Sequence, residues 1–105
     1  MTDMGISQPT DLRGRKALVT GAARGIGAAA AMALATEGAD VALADITSIE
    51  QTTKAIQGLG RKAVAIRASV ADADDAQRMA AEAIKGLGHI DILVNNAGII
   101  QRDSL

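Results

Sequence analysis

The sequence predicts a doubly wound α/β fold, in which helices cover both faces of a parallel sheet. Short apolar segments alternate along the chain with longer segments of helical composition. A glycine-rich turn joins the first apolar segment to an alanine-rich run of high helix propensity. The apolar segments contain few polar residues, which is typical of parallel strands that are buried on both faces.

The composition indicates one small domain and excludes several classes of partner. The chain has 105 residues, with 11 Lys and Arg against 12 Asp and Glu. This balance predicts no basic surface for nucleic acid or for an acidic membrane. The absence of cysteine leaves no disulfide or thiolate metal site and fits a reducing compartment. Because no apolar run is long enough for a bilayer span or a signal peptide, we expect a cytoplasmic protein without nucleic-acid, membrane or metal partners.

The predicted elements follow one another as pairs of a strand and a helix. Thr47 and Glu50 have the spacing of a capping box, so a helix is predicted to begin at that point. Asp72 is predicted to cap the next helix, and Gly38 lies where a residue of positive φ ends the first helix. Strands are predicted at residues 16–20, 41–45, 62–67 and 90–94, and the first helix at about residues 25–37.

The turn Thr20-Gly21-Ala22-Ala23-Arg24-Gly25-Ile26-Gly27 has the character of a phosphate-binding loop. A helix N-terminus offers unpaired N–H groups and a partial positive charge, so it stabilises a pyrophosphate. Gly21 allows the tight turn after the strand, Gly25 allows a ligand to approach the backbone, and Gly27 allows close packing of the helix. Because three glycines at this spacing also occur in ordinary turns, the flanking residues decide the interpretation.

Asp45 and Arg24 favour opposite cofactors. Asp45 ends the second strand, 18 residues after Gly27, close to the spacing at which a carboxylate accepts hydrogen bonds from the ribose hydroxyls of NAD. The same carboxylate repels the 2′-phosphate of NADP. Arg24 could instead pair with that phosphate, as in many NADP sites. We predict NAD, with NADP as the alternative, because Asp45 would lie beside the ribose 2′ position, at which the two cofactors differ. The simpler interpretations are that Asp45 is a solvated aspartate and Arg24 a surface arginine.

Two motifs together resemble the short-chain dehydrogenase/reductase family: Thr20-Gly21-x-x-x-Gly25-x-Gly27 and, after the fourth strand, Asn95-Asn96-Ala97-Gly98. The resemblance implies a Rossmann-type sheet with strand order 3-2-1-4, and hydride transfer between a nicotinamide dinucleotide and a carbonyl or hydroxyl carbon. It implies that Asn95 helps to seat the adenosine-side ribose, and that Ala97 and Gly98 let the backbone pass close to the cofactor. A plain turn is the simpler reading of the two asparagines.

One predicted cofactor contact departs from the family pattern. Many members carry Asp-Val beside the adenine after the third strand, whereas this chain has Ser69-Val70. A serine hydroxyl can accept a hydrogen bond from the adenine amino group, but it is a weaker partner than a carboxylate. The complete set of residues expected to bind the cofactor is Gly21, Ala23, Arg24, Gly25, Ile26, Gly27, Asp45, Ile46, Ser69, Val70, Asn95, Ala97 and Gly98.

The residues that carry the chemistry of this family are not found in the sequence. The resemblance implies a catalytic Ser and a Tyr-x-x-x-Lys pair downstream of the Asn-Asn-Ala-Gly turn, but the chain has no tyrosine. We therefore assign no catalytic residue. We expect a flexible tail at residues 1–11 and, at residues 12–105, the dinucleotide-binding portion of one domain whose catalytic half lies outside this sequence.

Two other functions remain open from the residues alone. The chain could be a binding module that holds a dinucleotide without turnover, or a methyltransferase that uses S-adenosylmethionine. The three-residue gap between Gly21 and Gly25 and the Asn-Asn-Ala-Gly turn argue against the methyltransferase. The segments at residues 49–51, 58–62 and 95–102 also resemble bacterial sugar-acid dehydrogenases of the 2-deoxy-D-gluconate 3-dehydrogenase type. The family resemblance implies a small alcohol or ketone substrate and a homo-oligomer, a tetramer or a dimer.

Overall fold

The computed structural model describes residues 11–96, and within this range strands and helices alternate. All paired strands are parallel, and their order in the sheet is β3-β2-β1-β4. The doubly wound fold and the strand order predicted from the sequence are thereby confirmed. The elements are β1 (Lys16–Thr20), α1 (Gly25–Thr36), β2 (Asp40–Asp45), α2 (Glu50–Gly58), β3 (Ala63–Arg67), α3 (Ala73–Leu87) and β4 (Ile92–Asn95).

The two central strands divide the core into two layers. Successive side chains of a strand point to opposite faces, so β1 and β2 contribute to both layers. Val19, Val41 and Leu43 are fully buried in a cluster that includes residues of α1 and α2. On the other face, the side chains of β1, β2 and β3 pack against Met79, Ala83 and Leu87 of α3. The helices therefore hold the sheet from both sides, as a doubly wound fold requires.

The outer strands are less covered than the central ones. In β3 only Ile66 is buried, and in β4 the side chain of Leu93 is 63% exposed. The expectation that the apolar strands are covered on both faces therefore holds for β1 and β2 but not for β3 and β4 within the described residues. The physical reason is their position, because the described helices pack mainly over the central strands and leave the faces of the outer strands partly uncovered.

The prediction of a capping box at Thr47 and Glu50 is wrong. Helix α2 begins at Glu50, and its N-cap residue Ile49 makes no side-chain capping bond. The hydroxyl of Thr47 instead donates to Oδ1 of Asp45 at 3.1 Å, because a carboxylate is the stronger acceptor and lies two residues away. The turn formed by residues 45–47 delays the start of the helix.

The other two helix-boundary predictions are confirmed. Oδ1 of Asp72 accepts hydrogen bonds from the N–H groups of Asp74 and Asp75 at 2.9 and 3.1 Å, so Asp72 is the N-cap of α3. Gly38 follows α1 with a φ of 110°. In the part of the chain that the structure describes, no helix has the length and apolar character needed to cross a membrane.

Candidate functional site

A cavity of about 420 Å³ opens at the carboxyl ends of the strands. It adjoins the point between β1 and β4 where the strand order reverses, which is where open α/β sheets bind ligands. Six residues predicted from the sequence line it: Gly21, Arg24, Asp45, Ile46, Ser69 and Val70. They come from the glycine loop and from the ends of β2 and β3, so the fold brings together three segments that are far apart in sequence.

The loop after β1 depends on glycine at two positions for its conformation. Gly21 has a φ of 65° and Gly25 a φ of 61°, values that favour glycine over other L-residues. A Cβ atom added to Gly25 meets no protein atom within 4 Å. The requirement for glycine at position 25 within this chain is therefore conformational, and the backbone there is accessible to a ligand.

Gly27 is required for a different reason, namely packing. A Cβ atom at this position would lie 1.9 Å from the carbonyl oxygen of Gly21 and 2.9 Å from Nδ2 of Asn96. The first turn of α1 therefore lies directly against the loop that precedes it. This contact fixes the direction of the helix relative to the loop.

The N-terminus of α1 retains its positive character, whereas that of α3 is compensated. Arg24, the N-cap residue of α1, makes no side-chain capping bond, and the first turn contains no acidic residue. In α3 the carboxylate of the N-cap residue Asp72 accepts hydrogen bonds from the first turn, and that turn contains the acidic residues Asp74 and Asp75. Because unpaired N–H groups and the helix dipole favour an anion, the N-terminus of α1 suits a phosphate better than that of α3 does.

The carboxylate of Asp45 is held in place by residues on both sides of it. Its Oδ2 atom accepts from the N–H of Ala23 at 2.9 Å, and its Oδ1 accepts from the N–H and hydroxyl of Thr47 at 3.0 and 3.1 Å. Partial burial raises the pKa of Asp45, but the hydrogen bonds from Thr47 and Ala23 outweigh it and hold the pKa below its ordinary value. Asp45 is thus a preorganised anion beside the loop.

The segment after β3 supplies a second, less polar wall of the cavity. Val70 packs against the cluster beneath α3, and Ile46, which follows β2 and lines the same cavity, is 60% exposed. The N–H of Ser69 donates to Oδ2 of Asp75 at 2.9 Å, and the hydroxyl of Ser69 accepts from the N–H of Ala71 at 3.2 Å. An exposed isoleucine and a half-buried valine at one cavity provide apolar surface suited to a planar ring.

The asparagines after β4 differ in position. Oδ1 of Asn95 accepts from the hydroxyl of Thr20 at 2.9 Å, and Asn95 does not line the cavity. Asn96 does line it, and its Nδ2 donates to the carbonyl oxygen of Gly21 at 3.3 Å. The predicted role of Asn95 at a ribose stays a prediction, and Ala97 and Gly98 lie outside the described residues.

The remaining predicted residues lie around the loop. The side chain of Arg24 is exposed and lines the cavity, and within residues 11–96 it forms no hydrogen bond or salt bridge. Ile26 is 76% exposed on the first turn of α1, and Ala23 takes part through its backbone N–H. Arg24 is therefore available to an anion, as the NADP alternative requires.

Sequence reasoning missed three polar residues that shape the site: Thr47, Thr52 and Asn96. The sequence around Thr47 predicts a helix cap, although an Asp two residues before a Thr is also a pattern for a local side-chain turn. Asn96 follows Asn95 directly, and nothing in the sequence tells which of the two faces the cavity. Thr52 lies three residues after Ile49 and four before Ile56, so helical spacing places it on their buried face, and this spacing was the signal that could have identified it.

Comparison with known protein families identifies the family of this chain. The family model described as short chain dehydrogenase matches residues 15–105. The chain belongs to this family. The resemblance inferred from the two motifs is thereby confirmed.

Three similar proteins illustrate the breadth of the family. L-rhamnose 1-dehydrogenase (NAD(P)(+)) of Sphingomonas sp. is 43% identical over 91 residues, which are 84% of this chain and 36% of that protein. The 3-oxoacyl-[acyl-carrier-protein] reductase FabG of Staphylococcus aureus is 46% identical over 94 residues, covering 87% and 38%. The crystal structure of carveol dehydrogenase from Mycobacterium avium in complex with NAD matches with a TM-score of 0.78 at 29% identity, covering 81% and 36%. The chain thus spans little more than a third of the length of these relatives.

Proposed function

We propose that this chain binds a nicotinamide dinucleotide and is the cofactor-binding portion of an oxidoreductase. The bound nicotinamide supplies hydride transfer to or from a carbonyl or hydroxyl carbon of a small alcohol or ketone substrate. The observation that carries the proposal is the arrangement of Asp45 beside the glycine loop, where one fixed carboxylate and one uncapped helix N-terminus meet at a single cavity. Family membership and the names of the relatives support it.

The residues of the site fit such a group. The open backbone at Gly25 and the N–H groups at the start of α1 suit a pyrophosphate. Asp45 has acceptor capacity beyond its three hydrogen bonds and suits ribose hydroxyls. Ile46, Ser69 and Val70 suit an adenine ring, through apolar contact and one hydroxyl.

We propose NAD rather than NADP as the preferred cofactor. Asp45 is ionised at neutral pH, since its pKa lies below the ordinary value, and its position is fixed by Ala23 and Thr47. A like charge beside a partly desolvated 2′-phosphate is costly. Arg24 has no such constraint, because it is exposed and can turn towards solvent.

The alternative functions have less support. The similar proteins described above are dehydrogenases or reductases by name, which does not favour a methyltransferase or a module without turnover. A sugar or sugar acid as the substrate is a further proposal, and one relative named as an L-rhamnose dehydrogenase is in line with it. Assays with sugars, sugar acids, steroids and acyl thioesters test the substrate, and activity confined to steroids or thioesters contradicts the sugar proposal.

The assembly and the location are also proposals. A cytoplasmic location is supported by the absence of cysteine, and a homo-oligomer by membership of the family. Analytical ultracentrifugation of the protein tests the assembly, and a monomer at micromolar concentration contradicts it.

Calorimetric titration with NAD and NADP tests the proposed function. The protein is expected to bind NAD more tightly than NADP. Asp45→Ala is expected to weaken NAD binding and to narrow the difference between the NAD and NADP affinities. Asp11→Ala removes the same charge in the segment that leads into β1, on the amino-terminal side of the strands, so it serves as the matched control and should change neither affinity. Failure to bind either cofactor refutes the proposal, and tighter binding of NADP refutes the role of Asp45.

A further inference from the structure

A buried threonine connects helix α2 to the glycine loop. The side chain of Thr52 is 6% exposed, and its hydroxyl donates to the carbonyl oxygen of Ala22 at 3.1 Å. The carbonyl oxygen of Ala23 lies 3.5 Å from the same hydroxyl. Thr52 does not line the cavity, so any effect on a ligand must pass through the loop.

The same two loop residues are held by β2 on their N–H side. The N–H of Ala22 donates to the carbonyl oxygen of Ala44 at 3.2 Å, and the N–H of Ala23 donates to Oδ2 of Asp45 at 2.9 Å. The side chain of Ala22 is fully buried in the cluster that contains Ile49 and Ile56. The segment is therefore fixed by β2 through its donors and by α2 through its acceptors.

We propose that Thr52 is a positioning residue for dinucleotide binding, because its hydroxyl holds the Ala22 carbonyl and thereby orients the loop that faces the phosphates. This inference rests on the proposed function. Removal of the hydroxyl leaves a buried carbonyl oxygen without its partner, and a buried unpaired acceptor is relieved by movement of the backbone. Such movement displaces the N–H groups at the start of α1, which are the groups suited to the pyrophosphate.

The effect should depend on which part of the ligand is present. NAD and ADP carry the pyrophosphate and should lose affinity when the loop is displaced. Adenosine lacks it and relies on Asp45 and on the segment after β3. When the loop moves, Asp45 loses at most its bond from Ala23 and keeps the two bonds from Thr47. A difference between ADP and adenosine therefore separates positioning of the loop from general damage to the fold.

The experiment compares Thr52→Val with Thr52→Ser and with Thr53→Val in the protein. Valine has the shape of threonine without the hydroxyl, and serine keeps the hydroxyl. Thr53→Val is the matched control, because the hydroxyl of Thr53 donates at 2.7 Å to the carbonyl of Ile49 one turn earlier in the same segment. If Thr52→Val folds poorly by circular dichroism, Thr52→Ala removes the same hydroxyl with a better helix former.

Calorimetry with NAD, ADP and adenosine provides the readout. Loss of one hydrogen bond predicts an affinity for NAD and ADP that is about five-fold weaker in Thr52→Val, with adenosine changed by less than about two-fold. Thr52→Ser should restore binding, and Thr53→Val should bind as the parent does. Unchanged binding of NAD by Thr52→Val, or an equal loss for all three ligands, overturns the inference while the proposed function stands. If the parent protein binds no dinucleotide, the proposed function fails and this inference fails with it.

Discussion

Replacement of Gly27 by alanine is the smallest change that should damage the loop. The added Cβ atom would lie 1.9 Å from the Gly21 carbonyl oxygen and 2.7 Å from its carbon, whereas real Cβ contacts below 3.0 Å essentially never occur. The obstacle is backbone, so the first turn of α1 and the loop must separate by on the order of 1 Å. The cost of overpacking a well-packed site is about 1–3 kcal/mol, and a backbone obstacle places this variant towards the upper end.

The displacement should affect both stability and binding. Urea denaturation should show a free energy of unfolding lower by about 2–3 kcal/mol. Calorimetry should show NAD affinity reduced by about ten-fold or more, because the N–H groups of the first turn are displaced relative to Gly21.

Gly58→Ala is the matched control for this change. Gly58 ends α2, and a Cβ atom there meets nothing within 4 Å. Alanine in a helix is favoured over glycine, so this variant should gain up to about 1 kcal/mol and bind NAD as the parent does. If Gly27→Ala has the stability and NAD affinity of the parent, the close packing of α1 on the loop is not what fixes the site.

Four further changes test separate parts of the account. Gly25→Ala should weaken NAD binding, because alanine strains a backbone of positive φ beside the cavity. Gly60→Ala is the control: its φ is 82° and its added Cβ meets no atom, so it should be similarly strained but leave the NAD dissociation constant unchanged. Equal losses of NAD binding in calorimetry contradict this prediction. Asp45→Asn should lower the free energy of unfolding at neutral pH, because a lowered pKa stabilises the fold while the carboxylate is ionised. This deficit should shrink as the pH falls below 3.8, the ordinary pKa of an aspartate. Urea titrations that show a pH-independent deficit contradict the prediction. Asp72→Ala removes the N-cap of α3 and should cost about 1 kcal/mol of stability in the same assay, and no loss refutes the cap. Residues 1–105 expressed alone should self-associate in analytical ultracentrifugation, with Leu93→Lys reducing association, and a soluble monomer argues against an adhesive β4 edge.

The fold was predictable because local and global signals agree along most of the chain. The strands around Val19 and Leu43 are apolar except at their ends, and these residues are fully buried at the centre of the sheet. Asp72 caps a helix because its carboxylate has no better local partner than the N–H groups that follow it. The order of the strands came from the family resemblance rather than from the pattern of apolar residues.

The side-chain partners in the site were less predictable, because they depend on contacts between distant segments. Thr47 has a choice of partners, and the nearby carboxylate of Asp45 outcompetes the backbone of α2. Thr52 shares a helix face with Ile49 and Ile56, so its burial follows from spacing, but its bond to the Ala22 carbonyl depends on how α2 packs against the loop. Ser69 is bound to Asp75 by its N–H, a bond that requires the turn before α3 to be known.

Hydrogen–deuterium exchange with and without NAD is the most direct test of the proposed site. Binding at the cavity described above predicts slower exchange in three segments, namely residues 21–27, 45–47 and 69–71, because these contribute the loop, the carboxylate and the second wall. Residues 59–62, which lead into β3 on the amino-terminal side of the strands, should exchange at the same rate in both states. Protection confined to other segments, or none with NAD in saturating amount, contradicts the assignment of this cavity as the dinucleotide site.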